Sequence, residues 1–158
     1  MTTYVDSSVL VALYVPERFS KRARTVMASL VSAPYTALHE LELPNAFALM
    51  AGRAAISTGE RATIRLQLQE DVDSGRLASV APDWADVFTV ASAMSDSYTE
   101  NVLARSLDVL HVATARVLGC RRFVSADDRQ LGLAKLAGFT VTDIKGGSRT
   151  PARRPGVK

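Results

Sequence analysis

The chain alternates short apolar runs of β character with longer stretches whose apolar residues recur at helical spacing. Thr3 to Asp6 predicts a first strand. Val9 to Tyr14 predicts a short helix stopped by Pro16, with Ser7 or Ser8 as its N-cap. A second helix is expected over Ser20 to Leu30, and "PYTAL" reads as a short strand. Helices are then expected from Leu38 to Arg53, from Gly59 to Asp73, and from Trp84 to about Met94. The clearest helical signal is "RSLDVLHVATARVLG". There Ser106 stands at a capping position, Leu107, Leu110, Ala113 and Val117 fall on one face, and Gly119 sits where a left-handed C-terminal residue belongs. "RFVS" predicts a strand, "DRQLGLAKLAG" a helix ending in glycine, and "FTVTDI" a last strand. Strands alternating with helices predict an α/β class, a three-layer α/β/α sandwich around a mainly parallel sheet.

Length and composition narrow the class further. At 158 residues and 47% hydrophobic content, the chain fits one domain with a real core. No apolar run approaches the roughly 18 residues of a membrane span, and no basic segment precedes an apolar run at the N-terminus. A soluble, cytoplasmic protein is expected. The single cysteine, Cys120, excludes an internal disulfide framework and fits a reducing compartment. Charge is unevenly placed. Five cations and no acid fall after residue 144, so a chain of net +3 has a body of net −2. The expected organisation is a folded domain over residues 1–144 and a basic tail over 145–158. That tail reads as a disordered, solubilising end, with RNA or another acidic partner as its alternative use.

The chemistry lies in the acids. Asp is a poor strand residue and costly to bury, yet Asp6 follows Tyr4 and Val5 at a strand exit, where open parallel sheets bind their ligands. A second strand exit, in "RFVSADDRQ", carries Asp127 and Asp128. Asp108 falls in the first turn of its helix, and Glu42 sits between Leu41 and Leu43 on a mostly apolar one. Each has an ordinary explanation when taken singly: Asp127 and Asp128 as N-caps, Asp108 as a first-turn acid, Glu40 and Glu42 as solvated side chains. Brought together, four such acids would repel one another unless a cation held them. An all-carboxylate set suits Mg²⁺ or Mn²⁺ and the hydrolysis of phosphodiesters.

Four blocks, "YVDSSVLVALYVPE", "HELELPNAFAL", "RSLDVLHVATARVLG" and "RFVSADDRQLGLAKLAGFTV", resemble those of the PIN-domain family, and within it the VapC-like toxin ribonucleases of toxin–antitoxin pairs. The resemblance runs from Thr3 to about Val141. It implies that Asp6, Glu42, Asp108 and Asp127 are the catalytic and metal-holding acids. The "E-x-x-N-A" context favours Glu42 over Glu40, and distance from the strand favours Asp127 over Asp128. Ser8, Ser125, Asn45 and Arg105 match recurrent positions near such a site, Arg105 having a structural salt bridge as its other reading. The resemblance further implies a homodimer that cuts RNA with Mg²⁺ or Mn²⁺ and is held inactive by a cognate antitoxin. Arg53, Arg61 and Arg65 are rim candidates for RNA phosphates, equally explained as solvated helix surface.

Other chemistries lack their motifs. Neither G-x-x-x-x-G-K-[ST] nor G-x-G-x-x-G occurs, and "HELE" is not H-E-x-x-H. His39 and His111 are too few and too far apart for a histidine metal site and read as helix residues with ordinary hydrogen bonds. Trp84 and the scattered tyrosines form no stacking array. Two alternatives to a toxin ribonuclease stay open: a PIN-fold module that binds RNA or a partner without cutting, and a PIN nuclease of RNA maturation that has no antitoxin.

Overall fold

Tyr4 and Val5 face opposite sides of the first strand, and that two-residue alternation organises the molecule. The computed structural model describes residues 2–146. In chain order its elements are β1 (Thr3–Val5), α1 (Ser7–Tyr14), α2 (Ser20–Ala28), β2 (Ala33–Tyr35), α3 (Ala37–Gly52), α4 (Thr58–Asp73), β3 (Leu77–Ser79), α5 (Trp84–Val102), α6 (Ser106–Val117), β4 (Arg122–Ser125), α7 (Asp128–Leu136) and β5 (Thr140–Asp143). Val5 and Val124 pack with Val9, Leu10, Leu43 and Phe47 on the side of α1 to α4. Tyr4 and Phe123 pack with Val87, Val112 and Leu133 on the side of α5 to α7. The chain is thus an α/β protein with helices on both faces of a parallel sheet.

The strands pair in two groups. β1, β4 and β5 form one parallel sheet in that order, with Tyr4 opposite Phe123 and Val5 opposite Val124. β2 and β3 form a second parallel pair, with Ala33 opposite Leu77. β2 lies against β1, but no backbone ladder joins the two groups among the described residues. A side chain bridges the seam instead: the His39 ring donates from Nε2 to the Val5 carbonyl at 3.0 Å, while its Nδ1 accepts the Thr36 amide at 3.1 Å. From β1 the chain builds outward through β2 and β3 on one side, then returns to β4 and β5 on the other. The carboxyl end of β1 is therefore the point where the strand order reverses, the usual place for a ligand in an open α/β sheet.

Several sequence expectations need correction. The N-cap of α1 is neither Ser7 nor Ser8 but Asp6, whose Oδ1 accepts the Val9 amide at 3.2 Å. Ser106 is the first residue of α6 rather than its cap; Arg105 occupies the cap position, and Asp108 reaches back to its amide. α5 runs to Val102, well past Met94. Leu107 is 43% exposed, and the buried side of α6 is carried by Val109, Val112 and Ala113. β3 has no counterpart in the sequence reading. Gly119 does adopt the left-handed conformation, with φ of 69°. Most of the basic tail, residues 147–158, lies outside the described residues.

Candidate active site

Three of the acids stand where helices begin. Asp6 caps α1 directly from the end of β1, Asp127 caps α7 just beyond β4, and Asp108 lies in the first turn of α6. The positive ends of these three helices favour carboxylates there. Glu42 comes from α3, which follows β2, and so reaches the same edge from the other strand group. The ordinary capping roles are real. Asp127 Oδ1 accepts the amides of Arg129 and Gln130 at 2.7 and 3.2 Å, and Asp108 Oδ2 accepts the Arg105 amide at 2.8 Å.

Capping does not account for Asp6. It is wholly buried, and its neutral donors are the Val9 amide, the Ser8 hydroxyl at 2.7 Å and the Ser125 hydroxyl at 2.8 Å. Burial pushes its carboxyl up to about 6, against the opposing pull of His111 and of the three donors. The two serines also tie Asp6 to the β4–α7 turn, since Ser8 Oγ accepts the Ala126 amide at 2.9 Å and Ser125 Oγ accepts the Asp127 amide at 2.8 Å. Asp108 joins the same turn through Gln130, whose Nε2 donates to Asp108 Oδ1 at 3.3 Å while its buried Oε1 has no partner.

Glu42 is held differently. Its Oε2 accepts the Ser7 hydroxyl at 2.6 Å and lies 2.5 Å from His111 Nε2. Burial pushes this carboxyl up, but the hydrogen bond and charge of His111, together with Ser7, outweigh it and hold the group below the usual range. Behind His111 stands Tyr4, whose hydroxyl is 2.9 Å from Nδ1. Both rings are completely buried. The sequence pattern points to Ser7 only as a candidate helix cap and to His111 only as a helix residue with ordinary hydrogen bonds. Its position three residues after Asp108 was the available signal, but the pairing with Glu42 spans 69 positions.

The other sequence candidates take simpler places. Glu40 is exposed, whereas Glu42 is half-buried. Asp128 is exposed and pairs with Lys145 at 2.6 Å. Asn45, one turn beyond Glu42, and Arg105 are exposed. Arg53 and Arg65 are exposed, and Arg61 is partly buried with its Nε unpartnered.

Among the described residues, no three Asp, Glu, His or Cys side chains are arranged to hold a metal ion. The donor set nonetheless fits a hard divalent cation in type. All four acids offer oxygen, and no lysine or arginine pairs with any of them among the described residues. Glu42 Oε1 and Asp127 Oδ2 carry no hydrogen bond there, and Asp6 is a buried carboxylate without a basic partner other than His111.

An open parallel α/β sheet with acids at its switch point defines the class. The sequence matches the PIN domain family over residues 3–137, and the chain belongs to that family. Among solved structures it is similar to the crystal structure of FitAcB from Neisseria gonorrhoeae, at a TM-score of 0.66 and 16% identity, covering 91% of this chain and 99% of that one. No curated protein matches the sequence significantly.

Proposed function

We propose that this PIN-domain protein is a metal-dependent endoribonuclease, the VapC-like toxin of a toxin–antitoxin pair. The observation that carries the reading is the buried Asp6 at the β1 exit, grouped on one sheet edge with Glu42, Asp108 and Asp127 and paired with no lysine or arginine among the described residues. A pure binding module gains nothing from so costly an arrangement. Asp6, Glu42, Asp108 and Asp127 would hold Mg²⁺ or Mn²⁺. A bound divalent ion supplies positive charge to the scissile phosphate and its leaving oxygen.

The chain's own residues have distinct tasks in this reading. Ser8 and Ser125 fix the Asp6 carboxylate and couple it to the turn that carries Asp127. Gln130 couples Asp108 to the same turn. Ser7 and His111 hold Glu42. Asn45 and Arg105 are exposed near this edge and serve substrate phosphates. The folded nuclease domain covers residues 1–144, and the basic tail from 145 adds sequence-independent phosphate contacts. The partners are RNA, a second copy of the chain and a small antitoxin that covers the acids with a basic side chain. Its action is cytoplasmic in this reading, and no helix among the described residues is long and apolar enough to cross a membrane.

The test is cleavage of a mixed RNA pool in Mg²⁺ or Mn²⁺, with and without EDTA, by the wild type, Asp6→Asn and Asp108→Asn. The reading expects cutting that needs metal and is lost in both variants. RNA binding without cutting in any divalent metal would replace it with the silent binding module.

A further inference from the structure

The hydrogen bonds behind Glu42 form a line with one direction. Tyr4 on β1, His111 on α6 and Glu42 on α3 are linked through the two nitrogens of a single imidazole, at 2.9 and 2.5 Å. Glu42 Oε2 is a carboxylate oxygen and accepts, so Nε2 must carry a proton. Nδ1 faces a phenol with one proton to give. A phenol is a donor at neutral pH, and its hydroxyl lies at hydrogen-bond distance from Nδ1. Ring packing fixes the imidazole as well: the His111 ring lies edge-on to Tyr4 at 5.8 Å and tilted against His39 at 5.3 Å. Ser7 donates to the same Oε2, leaving Oε1 without a hydrogen bond among the described residues.

We propose that Tyr4 and His111 are positioning residues for Glu42: the Tyr4 hydroxyl locks His111 in its Nε2–H tautomer, and that N–H pins Oε2 so that Oε1 is presented toward the acidic edge. The donor role of Nε2 follows from its contact with a carboxylate, the donor role of Tyr4 is part of the proposal, and the purpose rests on the metal-dependent reading above. Such partners behind a metal-binding side chain commonly contribute about 10- to 100-fold in metal affinity.

The two parts are tested separately. Only two histidines occur in the chain, so long-range proton–nitrogen NMR of the wild type at pH 7.5 reads each ring, with His111→Gln identifying the His39 signals. The expected pattern for His111 is a protonated Nε2 and a bare Nδ1 that accepts a hydrogen bond, with the Nδ1 signal shifted in Tyr4→Phe as that hydrogen bond is lost while Nε2–H persists. A bare Nε2 or a doubly protonated ring overturns the lock. Mn²⁺ binding is then measured by titration calorimetry on the wild type, His111→Leu and His111→Gln. Affinity should fall about 10- to 100-fold in His111→Leu and recover in His111→Gln, whose amide still donates to Glu42. Equal affinity in wild type and His111→Leu overturns the positioning role alone. Absence of Mn²⁺ binding by the wild type overturns the metal site, and the positioning role with it.

Discussion

Replacing Asp6 with asparagine should make the metal-free protein more stable at neutral and alkaline pH. The native carboxyl is raised by burial from 3.8 to about 6, so the folded state holds this proton more tightly than the unfolded chain does. On this group's account, stability falls as pH rises from 3.8 to 6, and the full cost is present above that window. The shift corresponds to about 3 kcal/mol, and Asp6 is wholly buried, so solvent screening does not reduce it. Asparagine removes the charge but also one acceptor, because either the Ser8 or the Ser125 hydroxyl then faces an amide NH₂. That mismatch costs about 1 kcal/mol. The net gain is about 2 kcal/mol, or roughly 4–8 °C in Tm for a chain of this size. The assay is thermal unfolding of both proteins in EDTA at pH 8 and pH 4.5. At pH 4.5 the charge contribution shrinks to about 1 kcal/mol, so the advantage should nearly vanish. The other titrating groups are common to both proteins and cancel in the difference. A variant no more stable than the wild type at pH 8, or an advantage unchanged at pH 4.5, would refute the reasoning.

Other outcomes follow from the same geometry. Burial, with His111 as a neighbour, lowers the His39 pKa to about 3, so its contribution is complete above 6.5 and is lost as pH falls toward 3; His39→Gln should flatten that acid limb in Tm against pH. Phe123 stacks on Tyr4 at 5.5 Å and is fully buried, so Phe123→Ala should cost about 3–5 kcal/mol in urea unfolding. Lys145→Ala should change stability by less than about 0.5 kcal/mol by the same measurement, because the Asp128 side of its ion pair is 85% exposed.

The parallel α/β architecture was legible because short apolar runs alternate with stretches of helical spacing, clearest in α6, and two strand exits carry acids. β3 escaped because three residues, "LAS", are too short to display alternation and only Leu77 is buried. The end of α5 was hidden by Ser95, Asp96 and Ser97, which interrupt the apolar repeat on its exposed side. Capping was misassigned at α1 for a physical reason: one residue both ends the strand and begins the helix, so Asp6 does the work expected of the following serines. The four acids could be nominated from local context, whereas the partners of Glu42 could not. Ser7 lies 35 residues away and His111 lies 69, and only the fold brings them together.

The seam between β1 and β2 gives the site an unusual mechanical origin. Asp6 and Asp127 ride on one hydrogen-bonded strand group, while Glu42 follows from the other. Backbone ladders fix strand spacing whatever the side chains are, but here the two groups meet through side chains: the shared apolar packing of Val5 with Ala33 and Leu77, His39 on the Val5 carbonyl, and Ser7 and His111 on Glu42. The gap between the acids is therefore written in individual residues, and point substitutions can retune it without breaking a single rung of either sheet.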